Sequence, residues 1–260
     1  MTPQWRLIVD DRPASGAWSM ALDRAIQLSH LAHGSPPTLR LYSWENPTVT
    51  LGRFQNVESI DLSACDRFGV SVVRRFTGGR GVLHDDELTY SIVAGVGDGL
   101  PRGVAASYRY LCAGLVETYR QLGVPAELTS RPRGDASSAA CYLHATHADL
   151  SVGVAKLSGN AQVWAGESVL QHGSFTRTRD MKRESAVFAL DVSDLAKLAA
   201  GTATLSEYLD QAPSLVTITQ AAVQGFGEAL GVEFIAGPLT AEEILLADEL
   251  LEQVLLQVHG

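Results

Sequence analysis

Cys141 and Lys156 stand fifteen residues apart and have the residue types for nucleophilic thiol chemistry. Cys141 follows the small, polar run from Arg133 to Ala140, so its thiol is more accessible than one inside an apolar helix. Nearby His144 and His147, and an inward Lys156, would favour the thiolate, which is the attacking form. A free cysteine is more often a small buried hydrophobe, so packing is the competing role. Cys112, beside Leu111 and Leu115, and Cys65, in a short helix, both read as packing residues. Three cysteines without metal-like spacing give neither a disulfide framework nor a metal site.

Lys156 gains its interest from alternation. Leu150, Val152 and Val154 share one strand parity, and Lys156 continues it, which aims its ammonium inward. A buried ammonium must be paired, shifted in pKa or used. The other reading places a bulge at Gly153, which flips the parity and leaves Lys156 on the surface. Leu157-Ser158-Gly159-Asn160-Ala161-Gln162 then forms a small-residue turn with room for a ligand beside the lysine.

A second candidate lies between Arg74 and Ser91. Gly78, Gly79 and Gly81 follow a strand closely, so the backbone can approach a ligand and its N–H groups can hold a phosphate or carbonyl oxygen. No Gly-Lys-Ser/Thr follows, which excludes a Walker A loop. Arg74, Arg75, Arg80 and His84 around one glycine loop suit an anionic ligand. A tight hairpin with solvated charges is the plainer alternative. Adjacent strand residues point to opposite faces, so at most one of Arg74 and Arg75 faces the core.

Several elements must position these groups. An amphipathic helix spans 16–34, and strands over 38–44 and 48–51 form a pair across Glu45-Asn46-Pro47. A short helix over 61–68 starts from Asp61 as N-cap, and strands follow at 71–75 and 88–96. A helix over 103–122 stops at Gly123-Val124-Pro125. Residues 148–175 read as three strands. The last 70 residues are mainly helical, with capping boxes at Thr217/Gln220 and Thr240/Glu243. Strands and helices do not alternate strictly, so the fold class is α+β with a mixed or antiparallel sheet.

Composition bounds the rest. The chain has 260 residues, 46% hydrophobic and 19% charged, enough for an ordinary globular core. Twenty basic against 29 acidic residues give a net charge of −9, which argues against nucleic acid as a partner. No apolar run approaches the ~18 residues of a membrane span, and no secretory signal is visible, so a cytoplasmic protein is expected.

Five segments in order carry a resemblance: 16–23 (Gly-Ala-Trp-Ser-Met-Ala-Leu-Asp), 50–55 (Thr-Leu-Gly-Arg-Phe-Gln), the arginine–glycine segment 74–84, Lys156-Leu157-Ser158-Gly159, and Gln171-His172-Gly173-Ser174. Together they resemble the lipoate–protein ligase A and octanoyltransferase superfamily, which is related to biotin–protein ligases. Thr77-Gly78-Gly79-Arg80 with His84, the segment Glu87 to Ser91, and Cys141-Tyr142 fifteen residues before Lys156 are closest to LipM-type cysteine octanoyltransferases. The resemblance implies one catalytic domain over 1–260, with a core over about 1–190 and a helical C-terminal part over about 191–260. It also implies transfer of octanoyl from acyl carrier protein, through a Cys141 thioester, to a lysine of a lipoyl domain such as that of the glycine cleavage H protein.

In that scheme Lys156 favours the thiolate or polarises the acyl carbonyl. Arg74, Arg75, Gly78, Gly79, His84, Ser158, Gly159 and Ala161 bind substrate, with Arg74 or Arg75 at the phosphopantetheine end. His144 is a possible base. No cofactor or metal is required. The run Arg177, Arg179, Lys182 and Arg183 is either a docking patch for acidic partners or a solvated loop. Val154-Ala155 before Lys156, Asn160 and Trp164 depart from the family pattern and put adenylate contacts in doubt. Three other readings compete. One is an ATP- and Mg-dependent lipoate–protein ligase in which Cys141 is incidental. The others are an amidotransferase between lipoyl domains and a non-catalytic lipoyl-domain binding protein.

Overall fold

The structure, a computed structural model, describes residues 1–129, 140–143 and 149–255. Along the chain the elements are β1 (Gln4–Val9), α1 (Gly16–His33), β2 (Thr38–Tyr42), β3 (Thr48–Leu51), α2 (Leu62–Phe68), β4 (Ser71–Arg74), β5 (Val82–His84), β6 (Glu87–Gly95), α3 (Val104–Gln121), β7 (Glu127–Thr129), β8 (Asp149–Val152), β9 (Ala155–Ser158), β10 (Asn160–Ala165), β11 (Ser168–Thr176), α4 (Met181–Val187), α5 (Val192–Gly201), α6 (Leu205–Tyr208), α7 (Leu215–Leu230), β12 (Glu233–Ala236) and α8 (Ala241–Val254). The expected α+β class holds.

Six strands form a mixed sheet in the order β10-β11-β6-β2-β1-β12, parallel at β2-β1-β12 and antiparallel elsewhere. Two three-stranded sheets, β4-β3-β5 and β7-β8-β9, complete it. Alternation along β6 divides the labour of the large sheet. Leu88, Tyr90 and Ile92 join the main apolar core with Leu111 and Leu115 of α3 and Phe226 of α7. Glu87, Thr89 and Ser91 point to the other face, where α1 packs and α8 covers α1. Helices α3 and α7 approach closely because a Cβ on Gly114 would overlap the Phe226 ring.

The helix ends follow local capping chemistry. Ser15 caps α1, whose chain leaves through the left-handed Gly34, and Asp61 caps α2. The Thr240/Glu243 capping box opens α8. The other box is wrong: α7 starts earlier, with Ser214 accepting from the Thr217 N–H. β2 and β3 do not pair with each other. They belong to different sheets, because 45–47 carries the chain across rather than folding it back.

The span 148–175 holds four strands, not three. Gly153 adopts φ +54° and turns the chain between β8 and β9, so Asp149 to Lys156 is a hairpin rather than one strand. Lys156 is nevertheless buried, 3% exposed, in register with Ser151. The expected ligand turn at 157–162 is instead the passage of β9 into β10 through Gly159, from one sheet to another. β12, absent from the helical reading of the last 70 residues, pairs in parallel with β1. Among the described residues no helix is long and apolar enough to cross a membrane.

Candidate active site

Cys141 begins a short 3-10 turn, and its N–H donates to the Gly81 carbonyl at 2.8 Å. A bridge between Gly81 and Ala140 fastens the same segment to the glycine loop. The thiol is half-buried, whereas Cys65 and Cys112 are buried. It lines a cleft together with Gly159 and Ala161, Arg75, His84 and His172. Met20 and Tyr42 add apolar wall. A Cβ on Gly159 would lie 3.7 Å from the Cys141 sulfur, so glycine keeps that approach open.

The loop holding this wall is tied by Arg75. Its guanidinium, 4% exposed, donates to the carbonyls of Thr50 at 2.7 Å and of Gly78 and Arg80 at 2.8 Å each. Burial pushes Arg75 down to about 10, opposed by attraction to Cys141. It is therefore still a cation at neutral pH, and it lines the same cleft as the thiol. Arg74 turns the other way and donates to the carbonyls of Gly52 at 2.9 Å and Gln55 at 2.6 Å. One arginine inward and one outward is what strand alternation requires. A Cβ on Gly52 would overlap the Gly79 carbonyl, so the two loops touch through backbone alone.

Two hydrogen-bond chains reach the cleft from the polar face of the sheet. In the first, Glu87 accepts from His84 Nδ1 at 2.6 Å, and His84 Nε2 lies 3.0 Å from the Thr50 hydroxyl. The Thr50 oxygen in turn is 3.3 Å from Arg75 Nη1. A carboxylate only accepts, so the His84 Nδ1 facing Glu87 carries a proton. Trp44 stacks on His84 with centroids 4.2 Å apart. Burial would raise the Glu87 carboxyl, but the charge and hydrogen bond of His84, with Thr89 and Ser174, hold it below its ordinary value.

In the second chain, His172 Nδ1 lies 3.3 Å from Asp23 and its Nε2 lies 2.8 Å from the Thr77 hydroxyl in the glycine loop. Burial depresses His172 below the usual imidazole value, so the ring is neutral at neutral pH. Burial also opposes ionisation of Asp23, yet the His172 hydrogen bond and the Arg40 charge keep its carboxyl below the ordinary range.

The cleft thus brings together Cys141, Arg75, His84, Gly159 and Ala161. Lys156 stands behind it, its Nζ 3.5 Å from the Cys141 carbonyl oxygen and 6.0 Å from the Tyr142 ring. Ser158 is buried and donates to the Ser174 carbonyl at 2.8 Å, which holds the β9–β10 passage. Gly78 and Gly79 shape the loop, and Arg74 faces away from the cleft. His144 and His147 lie outside the described residues. Arg177 pairs with Asp86, Arg179 with Glu184, and Arg183 with Asp85, so the arginines of that basic run are locally neutralised. Sequence reading missed Asp23, Thr77 and His172 as site residues. The available signal was a carboxylate in the apolar stripe of α1, between Met20, Leu22 and Ile26.

Residues 15–227 match the model of the lipoyl protein ligase A/B catalytic domain. An octanoyltransferase LipM from Moorella thermoacetica is 39% identical over 249 residues, covering 92% of this chain and 91% of that protein. Another from Kyrpidia tusciae is 36% identical over 265 residues, 96% of each chain. Among solved structures, a putative lipoate protein ligase from T. acidophilum with bound lipoic acid superposes with a TM-score of 0.79 at 26% identity. It covers 96% of this chain and 95% of that one. A lipoate-protein ligase A bound with ATP gives 0.80 at 27% identity, with the same coverage. The chain belongs to the lipoyl protein ligase A/B catalytic-domain family, as an acyltransferase of its octanoyltransferase branch.

Proposed function

We propose that the protein is one catalytic unit that moves octanoyl from acyl carrier protein to a lysine of a lipoyl domain, such as that of the glycine cleavage H protein, through a thioester on Cys141. The observation that carries this reading is a half-buried thiol opening into a cleft beside the buried cation of Arg75, with the Lys156 ammonium behind it. The Cys141 thiolate attacks the carrier thioester carbonyl. The new C–S bond forms as the carrier thiolate leaves and takes a proton. A lysine amine of the acceptor then attacks the acyl-cysteine, forming an amide and returning the Cys141 thiol. The first step exchanges one thioester for another and the second gains a stable amide, so neither needs a nucleotide or a metal.

Lys156 supplies positive charge near the tetrahedral oxyanion of both steps. Arg75, held by the Gly78–Gly79 loop, and His84 fix the wall on which the acyl carbonyl rests. Gly159 and Ala161 leave space for it, and Ser158 holds the passage that carries them. The acceptor reading draws on a relative, a bi-partite lipoate protein ligase from Thermoplasma acidophilum described with its E2 lipoyl domain, 28% identical with a TM-score of 0.77.

Intact mass spectrometry after incubation with octanoyl-carrier protein, without ATP, tests the reading. An octanoyl adduct is expected that is released by hydroxylamine and absent in Cys141→Ala. The absence of an adduct, with ATP-dependent adenylate formation from free octanoate or lipoate, would move the protein to the ligases.

A further inference from the structure

A second groove shares a wall with the cleft. Helix α1 gives Met20 to the cleft and Arg24 to this roomier groove, one turn further along. Strand β10 gives Asn160 and Ala161 to the cleft and Val163 and Trp164 to the groove, and Arg75 borders both. Arg53, Arg74 and Phe76 also line the groove. In a chain of net charge −9, this one concavity gathers four arginines.

Among the described residues none of the four is ion-paired. Arg24 donates to the Gln27 side chain at 2.6 Å and lies 5.5 Å from the Phe76 ring centre. Arg53 packs on Phe54, and Arg74 and Arg75 donate to backbone carbonyls. All these partners are neutral, so four positive charges remain uncancelled. Burial and repulsion from Arg53 both lower the Arg24 pKa, a strain that a bound anion relieves. The run at Arg177, Arg179 and Arg183 is the opposite case, since its carboxylates are already in place.

We infer that this groove binds the phosphate of the acyl donor's pantetheine arm, an extended phosphodiester whose thioester end reaches Cys141. The inference rests on the thioester-donor reading above. An octanoyl tail has no use for guanidinium groups, and the acceptor lysine brings a cation that the groove repels. Arg24 and Arg74 are half-buried, so they reach a thin arm better than a flat protein face. Guanidinium forks match phosphate oxygens in geometry as well as charge.

Three octanoyl thioesters separate the possibilities: of N-acetylcysteamine, of phosphopantetheine, and of the carrier protein. The readout is the rate of Cys141 acylation in wild type, Arg24→Gln, Arg53→Gln and the double variant, with thermal midpoints as a folding control. The double variant should lose about 10- to 100-fold in kcat/KM with both phosphate-bearing donors. Its rate with the N-acetylcysteamine thioester should stay within about twofold, and Arg53→Lys should recover part of the loss. Equal loss with all three donors, or no loss with any, would overturn the inference. Loss with the carrier alone would reassign the groove to an acidic protein surface, and overturn it too. So would competition by ATP that disappears in the double variant. If wild type is acylated by none of the three, the thioester reading itself has failed.

Discussion

Both faces of the six-stranded sheet carry a buried apolar cluster, and the α1 face adds a network of buried charged groups. On the α3/α7 face, Tyr90, Ile92, Leu115 and Phe226 belong to one apolar cluster. On the α1 face, Asp23, Arg40, Glu87, His84 and His172 are equally hidden, each bonded to another polar group. Apolar burial gains free energy wherever shapes fit, whereas a buried carboxylate or imidazole is tolerated only with partners at fixed positions. The apolar clusters on both faces therefore provide stability, and the buried polar network of the α1 face adds orientation at a cost in stability. The cleft opens on the α1 face.

The largest separation is expected from one substitution on each side. Cys141→Ala should remove the acyl-enzyme and lower transfer by roughly 10³-fold or more, with an unchanged thermal midpoint. Phe226→Ala should cost about 3–5 kcal/mol. It should nevertheless leave octanoylation of Cys141 measurable at low temperature. If Phe226→Ala abolished acylation in folded protein, the division between the faces would be broken.

Asp23→Asn should move both readouts. Among the described residues it leaves the buried Arg40 with Asp10 alone as a charged partner, and it takes the anion from His172, a loss on the order of 3 kcal/mol. Because His172 also holds Thr77, the glycine loop loses its register and transfer should fall beyond what unfolding explains. Circular dichroism beside single-turnover acylation at a temperature where the variant is folded would check this. A variant that is destabilised but fully active would show that the Asp23 chain serves only the fold.

Acid should act through the polar face. The folded pKa of His172 lies below its unfolded value of about 6.5, so unfolding takes up a proton between them. Stability is then complete above pH ~6.5 and declines as pH falls through that window. Asp23 and Glu87, also depressed, add a second decline below pH ~4. Denaturant melts of wild type and His172→Gln from pH 8 to 3 should differ in the first decline and share the second. An unchanged first decline in the variant would assign it elsewhere.

The sheet's apolar face was more legible in the sequence than its polar one, for a physical reason. Caps and periodicity are local: Asp61, Thr240 with Glu243, and the parity of Leu88, Tyr90 and Ile92 each act within a few residues. Pairing is not local, which is why β2 and β3 looked like partners and why β12 was lost beside β1, some 230 residues away. The inward Lys156 was reached by a parity argument that the Gly153 turn invalidates, although its burial holds. Cys141, Arg75, His84 and Gly159 were readable because loop composition and glycine spacing mark them. Asp23 and His172 were not, because each makes sense only against a partner 149 residues distant.

The smallest expected effect concerns the three thiols, which sample both faces and the gap between them. Cys112 lies on the apolar face, where burial pushes its thiol up to about 12. Burial and the neighbouring Asp61 and Asp66 raise Cys65 to about 11. At pH 7.5 a thiol of pKa 11 or 12 has almost no thiolate, and both are closed off from solvent as well. Cys141 is half-buried and opens into the cleft beside a cation. Native protein treated with iodoacetamide should therefore take up one equivalent, mapped to Cys141 by peptide mass. Unfolded protein should take up three. Modification of Cys112 at a comparable native rate would mean that the α3/α7 face opens as readily as the cleft, and would erase the contrast between them.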